Sequence, residues 1–365
     1  MAYPHKSQKI AETIAAWFEG QRYKPGDRFP SDQELAKQFG VNHVTVRTAL
    51  KRFVDAGVLE RRVGAGTMVR DPRAKPEPPP ALASTGVALS LPDATHSFFS
   101  ELLHGVEAAL LGTARSLLFG HTWELADREE QVVNNWLGQG IRLMILTPPV
   151  LEARFYRGLL ARGIRLVFVD RRVPGVDAPS IVSRDEVGMS ALVRHLIHDR
   201  GHRRLVHLGG PPTIWTAQRR RESFEQSARA AGLAEADVLV RPAGFYIEDG
   251  YRATNQLLAE GPPPQAIVAA NDPVAVGAVR ALQEKGFRVP EDVTVTGYGD
   301  TDLGRNFGLT TVRQFPERMG SEAVRLVLGS DDIGAGDSIE LIPELVVRVG
   351  GPTAADVSAD VAASS

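Results

Sequence analysis

The chain has 365 residues, too many for one typical domain and enough for two or three. It contains no cysteine, which excludes disulfides, thiolate metal sites and cysteine nucleophiles. Residues 1–73 hold 13 Lys and Arg against 8 Asp and Glu, a net charge of +5, so the rest of this −2 chain carries −7. Such an asymmetry is typical of a DNA-reading segment joined to a partner domain of another kind.

No apolar run is long enough to span a bilayer, and the first residues lack the hydrophobic stretch of a secretory signal. Hydrophobic residues make up 43% of the chain and charged residues 24%, which predicts ordinary globular domains. We therefore expect a cytoplasmic protein with no membrane partner.

The first 40 residues predict two helices. Residues 7–20 place apolar side chains at helical spacing on one face, namely Ile10, Ile14, Trp17 and Phe18. Ser31 stands three residues before Glu34, which is the spacing of a capping box. Gly40 can take the left-handed conformation that ends a helix, so a second helix is expected over residues 31–39.

A third helix is expected between Asn42, a favourable N-cap, and Gly57. Its buried stripe has i, i+3, i+4, i+7 spacing and consists of Val46, Ala49, Leu50 and Phe53. Two short strands follow, VLERR and TMVR, around a glycine-containing tip. Helix, turn, helix and hairpin in this order predict a winged helix-turn-helix, which places its last helix in a DNA groove.

The residues expected to contact DNA lie at two places in this unit. A recognition helix reads bases mainly with its N-terminal residues, and the two tip glycines allow close approach to the DNA backbone. The DNA-binding residues predicted at these two places are His43, Val44, Thr45, Arg47, Lys51, Gly64 and Gly66.

Residues 71–85 are rich in proline and predict an extended, semi-stiff linker. Beyond it, apolar runs typical of buried parallel strands alternate with helical segments. The strand candidates are residues 86–91, 116–121, 143–148, 165–170, 204–210, 266–271 and 293–298. So many strands predict an α/β fold with two doubly wound parallel-sheet lobes and a ligand cleft between them, at the carboxyl ends of the strands.

The sequence thus predicts four segments. Residues 1–71 form the winged helix-turn-helix, and 72–84 form the linker. Residues 85–352 form the two-lobed domain, whose second lobe is centred on about 186–308. Residues 353–365, which show no periodic pattern, are expected to be a disordered tail.

Chemically suitable cleft residues follow three of the predicted strands. Phe98 and Phe99 stand at the start of a helix and can stack on a sugar face or a base, although plain core packing is the alternative. Trp123 follows the second strand and is otherwise a surface or hinge aromatic. Asp170 and Arg171 can bind hydroxyl groups by oriented hydrogen bonds, or form a turn salt bridge.

Residues 6–71 resemble the N-terminal domain of the GntR family of bacterial transcription regulators. The motifs are PGDRFPSDQELAKQFGV, VTVRTALKRFVDAGVLERR and GAGTMV. Arg47 matches an arginine that contacts DNA in this family. Gln33 and His43 stand where the family commonly has two further DNA-contacting arginines. The resemblance therefore implies that Gln33 contacts DNA as well, and that the operator sequence differs.

Residues 85–350 resemble the effector-binding domain of the LacI family, which has a periplasmic-binding-protein-like fold. The motifs are HDRGHRRLVHLGGP, QRRRESFEQSARAAGL and AIVAANDPVAVGAVRALQEKGFRVPEDVTVTGYGD. A GntR-type head on a LacI-type body is a known hybrid arrangement. The resemblance adds further cleft residues to those above, namely Thr216, Arg220, Phe245 and Asn271. It also supports Trp123 and the position of Phe98 and Phe99.

Two positions near the carboxyl end of this motif need comment. Asp272 precedes Pro273 and is interpreted mainly as an N-cap. The family usually has an aspartate that holds ligand hydroxyls at the position of Gly299. Either Asp300 replaces it here or the ligand differs from the common sugars.

No motif predicts a catalytic residue, a metal site or a cofactor. His195 and His198 are three apart on a helix, and a partly exposed helix face explains them as well as a metal would. The predicted function is a ligand-responsive repressor, not an enzyme, whose partners are an operator in double-stranded DNA, a sugar-like effector and a second copy of the chain. The alternative is a sugar receptor or enzyme with a small N-terminal partner-binding module.

Overall fold

The computed structural model describes residues 4–20, 22–55, 58–62, 66–69, 85–149, 152–329 and 334–348. The chain divides into two compact units, residues 1–78 and 79–365, and each is described by itself. The predicted linker and tail lie outside the described residues, and the domain boundaries given above stay predictions.

The first unit has helices packed on a small antiparallel sheet of strand order β1-β3-β2. Its apolar centre joins α1 to the other helices through buried Ile14, Leu35 and Leu50. The elements are α1 (Pro4–Glu19), β1 (Arg28–Phe29), α2 (Asp32–Phe39), α3 (His43–Asp55), β2 (Leu59–Arg62) and β3 (Gly66–Val69). This is the predicted winged helix-turn-helix layout.

The predicted start and end of α2 are confirmed. Ser31 Oγ accepts from the Glu34 backbone N–H at 3.2 Å, and the Glu34 side chain accepts from the Ser31 backbone N–H at 2.7 Å. Gly40 ends the helix with φ of 62°. The turn between α2 and α3 therefore follows directly from local side-chain chemistry.

The second unit alternates strands and helices. In chain order they are β4 (Gly86–Leu91), α4 (Ser97–Leu110), β5 (Ser116–His121), α5 (Ala126–Gly138), β6 (Leu143–Leu146), α6 (Ala153–Ala161), β7 (Arg165–Val169), β8 (Ser180–Ser183), α7 (Asp185–Arg194), β9 (Leu205–Gly209), α8 (Trp215–Ala230), β10 (Val238–Pro242), α9 (Ile247–Glu260), β11 (Ala266–Ala269), α10 (Asp272–Glu284), β12 (Thr294–Thr296), α11 (Asp302–Asn306), β13 (Thr311–Arg313), α12 (Pro316–Leu328), β14 (Ile339–Leu341) and β15 (Glu344–Val346).

These elements form two lobes. Lobe 1 contains a parallel six-stranded sheet of order β14-β8-β7-β6-β4-β5, and lobe 2 a parallel four-stranded sheet of order β10-β9-β11-β12. The chain enters lobe 2 after β8 and returns with α12, whose buried face packs on α4. β13 and β15 form a separate antiparallel pair. The predicted two-lobed, doubly wound fold is confirmed.

The inner strands are buried on both faces, as parallel strands covered by helices must be, whereas the edge strands β5 and β10 are partly exposed. Every residue of β4, β8, β9 and β11 is buried. Loops at the carboxyl ends of the strands in both lobes therefore line one crevice.

Candidate functional site

The first turn of α3 presents polar side chains to solvent in the first unit. His43 and Arg47 are exposed, and Gln33 on α2 is exposed as well. Arg47 Nε lies 3.3 Å from Asp32 Oδ2, yet 64% of the Arg47 side chain remains exposed. An exposed cation at the start of such a helix is available to phosphate or to a base edge.

The other predicted DNA-binding residues differ in how exposed they are. Thr45 is only 7% exposed, and its backbone N–H and hydroxyl both donate to Asn42 Oδ1, at 2.8 and 2.9 Å. Its side chain therefore stabilises the start of α3 and offers little exposed surface to DNA. Gly66 is exposed with φ of 87°. The side chains of Val44 and Lys51, and all of Gly64, lie outside what the structure describes.

The second unit contains a cavity of about 150 Å³ between its two lobes. Lobe 1 contributes the loops after β4, β5 and β7, and lobe 2 contributes α8 and the loops after β9, β10, β11 and β12. Eight of the predicted effector-binding residues line this cleft cavity. They are Phe98, Phe99, Asp170, Arg171, Thr216, Arg220, Phe245 and Asn271.

Arg220 is held on every side. Its Nε lies 3.3 Å from Asp185 Oδ1, and its Nη1 donates to the Ala270 carbonyl at 2.9 Å. Its Nη2 lies 3.3 Å from Gln314 Oε1, and the guanidinium stands 4.1 Å from the centre of the Tyr298 ring. Arg220 is thus fixed before any ligand binds, and it is itself one of the residues that line the cavity.

Asp170 and Arg171 form a second charged group, in lobe 1. The Arg171 guanidinium makes a two-pronged contact with Glu124, at 2.5 and 2.6 Å, and its Nε lies 3.3 Å from Asp170 Oδ2. Burial raises the pKa of Asp170 to about 6, although Arg171 and Arg220 oppose the shift. Asp170 and Glu124 have φ of 68° and 59°, a rare conformation for residues with side chains that is common at functional sites.

The apolar wall comes mainly from lobe 1. Phe98 and Phe99 are 7% and 8% exposed, and their rings meet edge to face with centroids 5.2 Å apart. Both belong to the core beneath β4 and also line the cavity. The two readings of these rings, core packing and ligand stacking, are therefore compatible. Phe245 faces them from lobe 2.

The structure places two of the predicted cleft residues, Asp300 and Trp123, outside this cavity lining. Asp300 does not line the cavity: its Oδ2 accepts from Arg313 at 2.7 Å and its Oδ1 from Arg348 at 2.5 Å. Both oxygens of the Asp300 carboxylate are therefore occupied by these arginines, and the neighbouring Gly299 lines the cavity. Trp123 is 54% exposed and is also absent from the lining.

The expected N-cap of α10 is corrected as well. Asn271, not Asp272, caps the helix, because its Oδ1 accepts from the Val274 N–H at 2.9 Å. Asp272 is buried and accepts from the backbone N–H and hydroxyl of Thr301 and from the Thr311 hydroxyl. It ties α10 to the loop after β12.

Several lining residues were missed from the sequence, among them His96, Tyr246, Tyr298 and Gln314. His96 Nε2 lies 3.1 Å from Asn271 Nδ2, and the Tyr246 hydroxyl lies 3.2 Å from Asp93 Oδ2. Both contacts join lobe 1 to lobe 2. His96 precedes the motif that pointed to Phe98, so the start of α4 was the available signal.

Within the described residues, no group of three His, Asp or Glu could hold a metal ion. In the same part of the chain, no helix has the length and apolarity needed to cross a membrane. His195 Nδ1 pairs with Asp199 Oδ2 at 2.8 Å on the exposed end of its helix.

Comparison with known proteins agrees with both units. Residues 6–69 match the model of the gntR family of bacterial regulatory proteins, and residues 193–349 match the periplasmic binding protein-like domain. The HTH-type transcriptional repressor PurR of Mannheimia succiniciproducens is 30% identical over 260 residues, which are 69% of this chain and 76% of that protein. The ribose operon repressor of Bacillus subtilis is 30% identical over 246 residues, 67% of this chain and 73% of that repressor.

Among solved structures, the lac repressor dimer bound to operator and the anti-inducer ONPF is similar, with a TM-score of 0.63 and 25% identity. The match covers 74% of this chain and 94% of that one. The winged head thus matches the gntR family model, and the two-lobed domain matches the periplasmic binding protein-like domain and the lac repressor. The chain belongs to the LacI and PurR family of transcriptional repressors, and its N-terminal domain is of the GntR type.

Proposed function

We propose that this chain represses transcription by binding an operator in double-stranded DNA as a homodimer, under the control of a sugar-like molecule in the cleft cavity. The observation that carries the proposal is that one chain contains two candidate binding sites of different kinds. A helix start with exposed Arg47 stands in one unit, and a cavity with fixed Arg220 and aromatic walls stands in the other. The repressor names of its relatives support it.

The chemistry of the cavity supports an oxygen-rich ring compound as effector. Phe98, Phe99 and Phe245 offer apolar surface, and Asp170 offers a carboxylate. Among the described residues, His96 Nδ1 and Gln314 Nε2 are buried without a hydrogen-bond partner. Oxygen acceptors of a ligand would satisfy these two nitrogen atoms, which are costly to leave unpaired, and a ligand hydroxyl could donate to the Asp170 carboxylate.

Two assays test the proposal. Fluorescence anisotropy with fragments from upstream of the gene's neighbouring operons should show sequence-selective binding that weakens steeply with salt. Thermal-shift screening with D-ribose, other sugars, sugar phosphates and nucleosides should reveal the effector, because a ligand of the folded state raises its melting temperature. Only non-selective DNA binding would favour the receptor or enzyme alternative.

Pairing of two chains is supported by exposed apolar side chains beside the edge strand β5. Leu111, Phe119, Trp123 and Leu125 are 80%, 39%, 54% and 58% exposed. Edge strands and apolar patches of this kind are usually covered by a partner. Sedimentation should show a dimer, and Leu111→Asp combined with Phe119→Asp should shift it toward monomer.

Effector control needs different affinities of the effector for the open and closed lobe arrangements. A coupling free energy of about 1–3 kcal/mol would change operator affinity roughly 5–150-fold. We place this activity in the cytoplasm, where the DNA is, and we assign the chain no catalytic role.

A further inference from the structure

Two hydrogen bonds close the cleft from lobe to lobe without a ligand between the partners. The Asn271 side-chain amide in lobe 2 meets the His96 ring in lobe 1, with Nδ2 3.1 Å from Nε2. The Tyr246 hydroxyl in lobe 2 donates to Asp93 Oδ2 in lobe 1, at 3.2 Å. Any opening of the lobes must break both.

The direction of the first hydrogen bond is fixed by the other contacts of Asn271. Its Oδ1 accepts from the Val274 N–H at 2.9 Å, and its Nδ2 donates to the Phe245 carbonyl at 2.9 Å. The amide cannot be turned over without losing both contacts. Nδ2 is therefore the donor toward His96, and His96 Nε2 must be the acceptor.

A histidine that accepts at Nε2 carries its single proton on Nδ1. A second proton would go to Nε2 and would point at the Asn271 N–H, donor against donor. The surroundings also oppose a charged ring: burial lowers the pKa of His96 to about 4, and Arg220 adds to this, whereas Asp93 and Glu124 oppose it. The contact thus requires the neutral ring.

We propose that His96 is a positioning residue of the effector cleft: its neutral Nδ1–H form holds the lobes closed through Asn271, and a protonated ring releases them. The proposal rests on the proposed function, because lobe closure is the step that the effector would control. It adds a second control, by proton, on the same step.

The size of the effect follows from the two states. An open cleft returns His96 toward its ordinary pKa of 6.5, whereas the closed cleft holds it at about 4. One proton linked in this way lowers the closing constant about tenfold between pH 7.5 and 5.5. Asp170 also titrates in this cavity, with a pKa raised to about 6, so the histidine effect must be isolated by comparison with a variant.

The test measures closure in the full-length chain without DNA or effector. The chain has no cysteine, so Glu130→Cys on α5 and Arg229→Cys on α8, both exposed, can carry a dye pair for single-molecule energy transfer. His96→Gln is the matched variant, because its amide oxygen can reach the place of Nε2 and cannot be protonated. The wild-type closing constant, divided by that of His96→Gln, is expected to fall about tenfold from pH 7.5 to 5.5.

Tyr246→Phe is the second control. It removes the other lobe-to-lobe hydrogen bond, so it should lower the closed fraction at both pH values and keep the wild-type pH dependence. Nitrogen NMR of the His96 ring at pH 7.5 gives an independent readout, in which the Nδ1–H tautomer is expected. The tautomer is read from the wild-type chain, so the result does not depend on whether a variant folds.

Three results would overturn the proposal: a ratio that changes less than twofold, a wild-type chain open at both pH values, or an Nε2–H tautomer. Loss of selective operator binding with the tenfold ratio intact would instead reject the proposed function and leave the cleft mechanism standing. The two failures are therefore distinguishable.

Discussion

Arg47 of the winged head and Arg220 of the cleft are both proposed to contact a ligand, but their surroundings are opposite. The Arg47 side chain is 64% exposed, and its Nε forms an ion pair with Asp32 at 3.3 Å. The Arg220 side chain is 7% exposed and contacts Asp185, Ala270 and Gln314 as well as the Tyr298 ring.

The difference separates two ways of preparing a binding site. An exposed arginine contributes little to folding, so most of its interaction free energy is available to a partner such as DNA. A buried arginine has already made its contacts without the ligand. It holds the site in order, and the fold depends on it. Substitutions should therefore affect stability in the cleft and affinity in the head.

The largest expected effect comes from Arg220→Ala. It leaves Asp185, which is 1% exposed, as a buried carboxylate without a counter-ion, bound only by the Tyr298 hydroxyl at 2.7 Å. We expect the second unit to lose about 3–5 kcal/mol of its free energy of unfolding, measured by urea unfolding at pH 7.5.

Arg221→Ala is the matched control, because this neighbouring side chain is 54% exposed and pairs with Glu225 across one helical turn. It should cost less than about 1 kcal/mol. Equal losses in the two variants would remove the contrast between buried and exposed arginines on which the comparison depends.

Glu129 extends the comparison to pH. It is fully buried in lobe 1 and accepts from the hydroxyls of Ser90 at 2.9 Å and Tyr156 at 2.6 Å. Burial raises its pKa to about 7 from an ordinary 4.5. The folded state therefore holds a proton that the unfolded state releases, and this stabilisation, complete below pH 4.5, is lost as pH rises through 7.

Glu129→Gln removes this titration. The stability of the variant relative to wild type should rise by about 3 kcal/mol between pH 4.5 and 8, measured by urea unfolding across that range. Glu130→Gln, at the exposed neighbouring position, should show no such trend. A flat difference for Glu129→Gln would mean that the buried carboxyl is ionised throughout.

In the head, Arg47→Ala should weaken operator binding by about 1–3 kcal/mol and leave the unfolding of the chain unchanged. Anisotropy titration measures the first and thermal unfolding the second. Arg52→Ala, in the last turn of the same helix, is the control, because recognition helices read bases with their first turns. An equal loss from Arg52→Ala would indicate general charge attraction instead of recognition by the start of α3.

The features that could be predicted from the sequence are local. The cap at Ser31 with Glu34, the left-handed end at Gly40 and the apolar run of β4 each depend on residues a few positions apart. All seven predicted strands are present for this reason. Strands β1, β8, β10 and β13 to β15 were missed, because each combines polar residues or proline with no more than three consecutive apolar residues, so none shows the apolar run of a buried parallel strand.

The cleft shows where such reasoning ends. Half of the eight predicted residues that line it were found from their chemistry at strand ends and half by resemblance. Their hydrogen-bond partners were not found, because those lie far away in the chain. Asp185 is 35 residues from Arg220, and His96 is 175 from Asn271. Asp300 was predicted in the cleft, whereas its carboxylate accepts hydrogen bonds from Arg313 and Arg348, which no spacing rule indicates.

The smallest expected effect tests the feature that the sequence predicted best. Ser31→Ala removes the side-chain acceptor for the Glu34 N–H and should cost the head about 1 kcal/mol. Hydrogen exchange measured by mass spectrometry should show about fivefold faster exchange in α2 and no change in the second unit. Ser31→Asp keeps an acceptor and should exchange like wild type. If Ser31→Ala also exchanged like wild type, α2 would be held by Leu35 in the apolar centre alone, and the head would depend on burial as the cleft does.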